Sequence, residues 1–165
     1  MYPNLELDFD SVKIRALFGR HKVARGGMGF NDLCDVICTN ELCQADAGIA
    51  SMQEVGTMEY RNYLFTTRNG TKILLWGNDV TPEQINMCRA LQPDIAILQR
   101  AKGEKELAQT VEFAAQIGCK VVIPHHHDFT KVDDPAVVEE FKKAFLARVP
   151  DGTFITPKHG EWIHL

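Results

Sequence analysis

Apolar and polar residues alternate along Leu5-Glu-Leu-Asp-Phe9 and again along Val12-Lys-Ile-Arg-Ala-Leu17, with the turn signal Asp10-Ser11 between them. A period of two sends successive side chains to opposite faces of a strand, so this pair predicts a hairpin half-buried on a sheet. A second pair of runs, 60–67 and 71–76, flanks Arg68-Asn69-Gly70. Asn-Gly between two such runs is the strongest short hairpin signal. Beyond Trp76 the period changes. Thr81-Pro-Glu-Gln84 combines an N-cap, a first-turn proline and a capping-box glutamine. It predicts a helix over 82–92, with Ile85, Cys88 and Leu91 along one stripe. Residues 94–98 read as a strand. Residues 104–117 read as a helix, with Leu107, Val111, Ala114 and Ile117 at helical spacing and Gly118 suited to its C-cap. Val121-Val-Ile123 is a short β-branched run, a buried strand that Pro124 is expected to end because it has no N–H for a ladder. Asp134-Pro135 opens a helix through Arg148 with Val138, Phe141 and Phe145 inward, and 153–155 and 160–165 close the chain as strands.

Strands joined by helices of this length imply parallel neighbours linked by right-handed crossovers. The expected fold is therefore one α/β domain over 1–165, a mixed sheet with the helices packed on one face. Residues 22–58 break this rhythm. Gly26, Gly27 and Gly29 interrupt regularity, and Asn31 is placed to cap a short helix to about Cys38. A loop of that length in a compact domain marks a lid-like or irregular segment.

Composition narrows the function classes. The 165 residues are 45% hydrophobic and 24% charged, with a net charge of −4 and no basic block. That balance argues against an extended nucleic-acid footprint, though not against a small-molecule substrate. No apolar run approaches the roughly 20 residues of a membrane span. The first ten residues lack the basic start and apolar core of a signal peptide. A cytoplasmic protein is expected. Five cysteines without framework spacing imply reduced thiols. Cys34, Cys38 and Cys43 cluster at spacings that fit no standard zinc motif, and Cys88 and Cys119 sit among core residues.

Candidate chemistry gathers after Pro124, where His125, His126, His127 and Asp128 follow a strand directly. A polar loop would explain them. The alternative is a ligand site, because α/β sheets bind their ligands beyond the carboxyl ends of the strands. If the strands ending at Trp76, Leu98 and Pro124 are parallel neighbours, one edge also holds Asn78, Asp79, Arg100 and Lys102. Imidazole and carboxylate together suit zinc, iron or manganese. Arg100 and Lys102 are placed either to receive an anionic substrate group or to stand as solvated charges. His21 likewise stands just past a strand end.

In this order of elements the chain resembles the metallo-β-lactamase-fold hydrolases, in particular their lactonase-like metal-dependent branch. The likeness rests on a strand running into His21, an Asn-Gly hairpin running into Gly77-Asn78-Asp79, the strand 94–98, Val121-Val-Ile-Pro-His-His126, and a closing Gly160-Glu161. It spans about 60–165, and 1–22 more loosely, and looks like the C-terminal half of that family's αββα sandwich. The resemblance implies that Asp79 bridges two metals, with Asn78 as the alternative register, and that His126 and His21 each supply a terminal ligand. Asp79 and His126 would then be the catalytic pair, and Asn78, Arg100, Lys102, His127 and Asp128 would surround metal or substrate. The family's His-x-His-x-Asp-His motif is absent, since none of the six histidines forms it.

The resemblance implies an incomplete divalent-metal site, zinc first and manganese or iron as alternatives. The corresponding function is hydrolysis of a small lactone, ester or phosphoester by what would be a partial chain. The competing expectation is a non-catalytic half-domain that binds a partner or itself. Either way the uncovered sheet face is expected to be buried against a second copy or a missing N-terminal half. A flavodoxin-like binding domain fits the strand–helix alternation but explains neither the hairpins nor the histidines.

Overall fold

The computed structural model describes residues 5–18, 61–77, 80–99, 104–126, 135–156, 158 and 160–163. The expected helix at 31–38, the segment 22–58 and the cluster Cys34, Cys38 and Cys43 lie outside them. Among the described residues seven strands form one sheet, with spatial order equal to chain order. Strands β1 (Glu6–Asp8), β2 (Val12–Phe18), β3 (Arg61–Thr67) and β4 (Lys72–Trp76) run antiparallel in succession. Strands β5 (Ile95–Gln99), β6 (Val121–His125) and β7 (Thr153–Phe154) then continue from β4 in parallel. Helices α1 (Pro82–Leu91), α2 (Glu104–Gln116) and α3 (Pro135–Arg148) supply the crossovers.

Local chemistry fixes these elements. Thr67 and Thr71 close the second hairpin, with the Thr67 N–H donating to Thr71 O at 2.9 Å. Asn69 Oδ1 accepts from the Thr71 N–H at 3.2 Å and Thr71 Oγ1 at 3.0 Å. Gly70 supplies the positive φ of 90° that a three-residue loop of this kind needs at its last position. At α1 the capping box is reciprocal. Gln84 N–H donates to Thr81 Oγ1 at 3.4 Å, and Thr81 N–H donates to Gln84 Oε1 at 2.9 Å. Thr81→Ala removes half of that exchange. It is expected to cost about 1 kcal/mol, read as a lowered urea midpoint with an unchanged slope.

Each parallel crossover moves one strand further in the same direction, so right-handedness puts all three helices on one face. Burial confirms it. The continuous core joins Leu64, Leu74, Trp76, Ala96, Leu98 and Val122 of the sheet to Leu107, Val111, Phe113, Phe141 and Phe145 of the helices. Trp76 and Phe113 meet with ring centroids 5.3 Å apart. The stripes expected on α2 and α3 are buried. On α1, Cys88 is buried while Ile85 and Leu91 are partly buried against the core. An exposed ion pair of Arg148 with Glu112, 2.9 and 3.2 Å, ties α3 to α2. The guanidinium, with Gln116, holds the Glu112 carboxyl below its ordinary range.

The other face of the sheet is also apolar. One cross-strand row runs Leu7, Ile14, Phe65, Ile73, Ile95, Val121 and the next runs Ala16, Tyr63, Leu75, Ile97, Ile123. Ala16, Ile95 and Ile123 are buried, and the remainder are only half-buried. None of these residues belongs to the core shared with the helices.

Two expectations need correction. Pro124 does not end its strand, because β6 continues to His125 and pairs Pro124 with Leu98 of β5. Thr153 N–H donates to Lys120 O and Ile155 N–H to Val122 O, so this register turns even-numbered residues of β6 toward β7. The proline therefore lacks an N–H only on the β7 side. It stops that ladder, which is why β7 has two residues, and leaves the β5 ladder intact. The strand expected at 160–165 does not form over 160–163. Gly160 takes φ 78°, Glu161 N–H turns back to Lys158 O at 3.1 Å, and Trp162 is 91% exposed instead of alternating into a sheet.

Candidate functional site

Strands β4, β5 and β6 end level with one another. Trp76 pairs with Leu98 and Leu98 with Pro124, and one residue further Gln99 pairs with His125. The edge that the sequence predicts to be shared therefore exists. Its described residues are Gly77, Gln99, His125 and His126. Residues 99 and 125 point to the face opposite the helices, since Leu98 belongs to the helix-side core.

His125 reaches from the end of β6 over β5 to the end of β4. Its Nε2 lies 3.2 Å from Trp76 O. A carbonyl oxygen only accepts, so Nε2 carries the proton and donates. The ring rests on Gly77, where an added Cβ would stand 3.4 Å from His125 Cε1 and 3.7 Å from Gln99 Oε1. Alanine fits there at ordinary contact distance, while a larger side chain would displace the imidazole. From the helix side, Asn62, 1% exposed, accepts the Gly77 N–H through Oδ1 at 3.0 Å. Trp76 C=O and Gly77 N–H belong to one peptide unit. That unit is thus held at both ends, by His125 and by Asn62.

His126 follows with φ 55°, in the left-handed region, and is exposed. Holding a non-glycine residue there costs about 1–2 kcal/mol, and such strain gathers at functional sites. The His125 and His126 rings stack loosely, with centroids 6.4 Å apart and planes 28° from parallel. Of the sequence-predicted site residues, the structure places His126 at this edge. His21, Asn78, Asp79, Arg100, Lys102, His127 and Asp128 lie outside the described residues, and with them the expected approach of Asp79 to His126.

The donor set tests whether a metal fits. Two imidazoles at a strand edge suit a borderline divalent cation. Among the described residues no group of three or more His, Cys, Asp or Glu side chains could hold one. Cys88 and Cys119 contribute nothing, being buried in the core with thiols pushed by desolvation up to about 12 and about 11.

Sequence reasoning missed Asn62, Gln99 and the role of Gly77. Asn62 lies two residues from Leu64 on the helix side of β3, a polar residue in an apolar phase, and that break in alternation was the available signal. A polar groove of about 250 Å³ elsewhere is lined by Glu6, Lys13, Arg15, Thr66, Lys72 and Leu91. It sits at the opposite end of the parallel strands, where Lys13 pairs with Asp8 at 3.0 Å and Lys72 Nζ donates to Leu91 O at 3.0 Å. Among the described residues no helix is long and apolar enough to cross a membrane.

No protein-family model matches the chain, and no curated protein sequence matches it. Solved structures do. One is Igni18, a novel metallo hydrolase from the hyperthermophilic archaeon Ignicoccus hospitalis KIN4/I, at 13% identity and a TM-score of 0.56, with 98% of this chain and 57% of that chain covered. Another is a possible metal-dependent hydrolase from Veillonella parvula DSM 2008, at 17% identity and a TM-score of 0.56, with 97% and 56% covered. The chain shares the fold of these proteins and spans a little over half their length.

Proposed function

We propose that the chain is a metal-dependent hydrolase of the metallo-β-lactamase type, acting on a small lactone, ester or phosphoester at the edge where β4, β5 and β6 end. The observation that carries this reading is His126, strained and exposed, at the level ends of three parallel strands in a fold shared with a metallo hydrolase and a possible metal-dependent hydrolase. His21, Asp79 and His126 would hold the metal, with Asp79 shared between two ions. Asn78, Arg100, Lys102, His127 and Asp128 would contact substrate or orient those ligands. The cation, zinc in the first instance, would supply a Lewis acid for a carbonyl or phosphoryl oxygen.

Each ion would hold one histidine and a shared carboxylate, short of the three protein ligands usual for catalytic zinc. The purified chain is therefore expected to bind Zn²⁺ with a Kd above about 1 µM, a binding energy weaker than about 8 kcal/mol, and to turn over lactones slowly. Isothermal titration with ZnCl₂ checks it. His126→Ala should weaken binding further, and equal affinity in the two proteins would remove the metal reading. Two tightly held equivalents in the wild type would show that other residues build the site.

The apolar face opposite the helices belongs to the same proposal. It is covered by the same face of a second copy.

A further inference from the structure

We propose that His125 is a positioning residue, which ties the ends of β4 and β6 together across β5 and so sets where His126 is presented. The inference rests on the reading of His126 as a metal ligand, and it assigns His125 a task different from ligation. Three observations support it. The Nε2 proton is committed to Trp76 O at 3.2 Å, two strands away. The ring lies flush on Gly77, which has no side chain to lift it. The peptide that receives this hydrogen bond is held from its other side by Asn62 Oδ1. The end of β4 is thus a fixed point, and His125 is the strut between it and the first residue beyond β6.

That residue is His126, in a left-handed conformation that costs a non-glycine residue energy. With the strut in place, the backbone entering residue 126 has its direction fixed by β4 as well as by β6. Without it, the last residue of β6 loses its tie to β4 and is paired by its ladder to β5 on one side, because the described β7 has already ended. His126 could then relax toward ordinary backbone angles and carry its imidazole away. Groups that hold a metal ligand from behind affect affinity about 10–100-fold in known sites.

The test uses the full chain and Zn²⁺ alone as probe. His125→Ala should lower Zn²⁺ affinity about tenfold, with a cooperative melt retained. His125→Gln should recover most of the loss, because a glutamine amide can donate to Trp76 O but is a poor zinc ligand. Gly77→Val should reproduce the His125→Ala loss by displacing the ring, while Gly77→Ala should not. Equal losses in His125→Ala and His125→Gln would overturn the proposal and make His125 itself a ligand. A loss in His126→Ala with none in His125→Ala would also overturn it, leaving the metal reading standing. If His126→Ala binds Zn²⁺ like the wild type, the metal reading fails first. The strut is then judged by imidazole ¹⁵N–¹H correlation of the metal-free chain, where absence of an Nε2–H signal from His125 that vanishes in His125→Ala would overturn it.

Discussion

Phe145→Ala should cost about 3–5 kcal/mol, enough to bring a domain of ordinary stability near unfolding. Phe145 is 0% exposed and its ring meets Phe154 of β7 with centroids 6.1 Å apart. It also fills the space above Gly152. A Cβ built at that glycine would stand 2.8 Å from Phe145 Cε1 and 2.9 Å from Val149 O. The site is therefore packed from both directions, and the opposite error should also be felt. Gly152→Ala is expected to destabilise by about 1–3 kcal/mol through overpacking. Shortening the ring in a Phe145→Leu, Gly152→Ala double variant relieves only the side-chain half of the clash, because Val149 O is backbone and cannot step aside. The double variant should thus recover part of the alanine penalty and no more. Urea midpoints of the single and double variants check both statements. An additive cycle would mean that Phe145 and Gly152 do not share the space.

The alternation of strands and helices was legible because each element carried its own punctuation. Thr81, Pro82 and Gln84 open α1 by hydrogen bonds local to the first turn, and Asn69-Gly70 closes a hairpin by chemistry within five residues. Reading failed where the outcome depends on a neighbour. Pro124 reads as the end of a strand, yet which ladder it breaks depends on whether the missing N–H faces β5 or β7. Gln92 ends α1 at φ 52°, a conformation for which glycine or asparagine is the usual signal.

The site shows the same division. A histidine tract beyond a buried strand was visible, and so was the shared edge, since three parallel strands joined by two similar crossovers end on the same side. That His125 reaches across β5 to Trp76 was not visible. It depends on the register of three strands and on an absent side chain at residue 77. Asn62 was hidden for a related reason: alternation marks a polar strand residue as outward unless something inside needs its hydrogen bond, here the Gly77 N–H.

In solution at about 10 µM, a concentration that a sub-micromolar dimer saturates, the chain should be a dimer joined through the sheet face opposite the described helices. The two apolar rows on that face span six strands, about 24 Å at the usual strand spacing, and stand about 7 Å apart along them. A contiguous exposed apolar patch is often functional. A second copy is compatible with the absence of charge. No Asp, Glu, Lys or Arg stands in either row, whereas the helix-side phase of β1 and β2 carries Glu6, Asp8, Lys13 and Arg15. A two-fold interface sets a patch against itself, so any charge near its axis would meet its own like charge. This face satisfies that condition, and aligned sheets pack apolar faces about 10 Å apart. Phe65→Lys, at a half-buried position on β3, places two ammonium groups in that interface. Like-charge juxtaposition there costs several kcal/mol, so the variant should sediment as a monomer while keeping its circular dichroism spectrum. Trp162→Ala, at an exposed residue outside both rows, should leave the dimer intact. Light scattering on the three proteins decides the matter. A wild type that stays monomeric at ten times that concentration would exclude a second copy as the cover. A dimer that survives Phe65→Lys would move the interface to another surface.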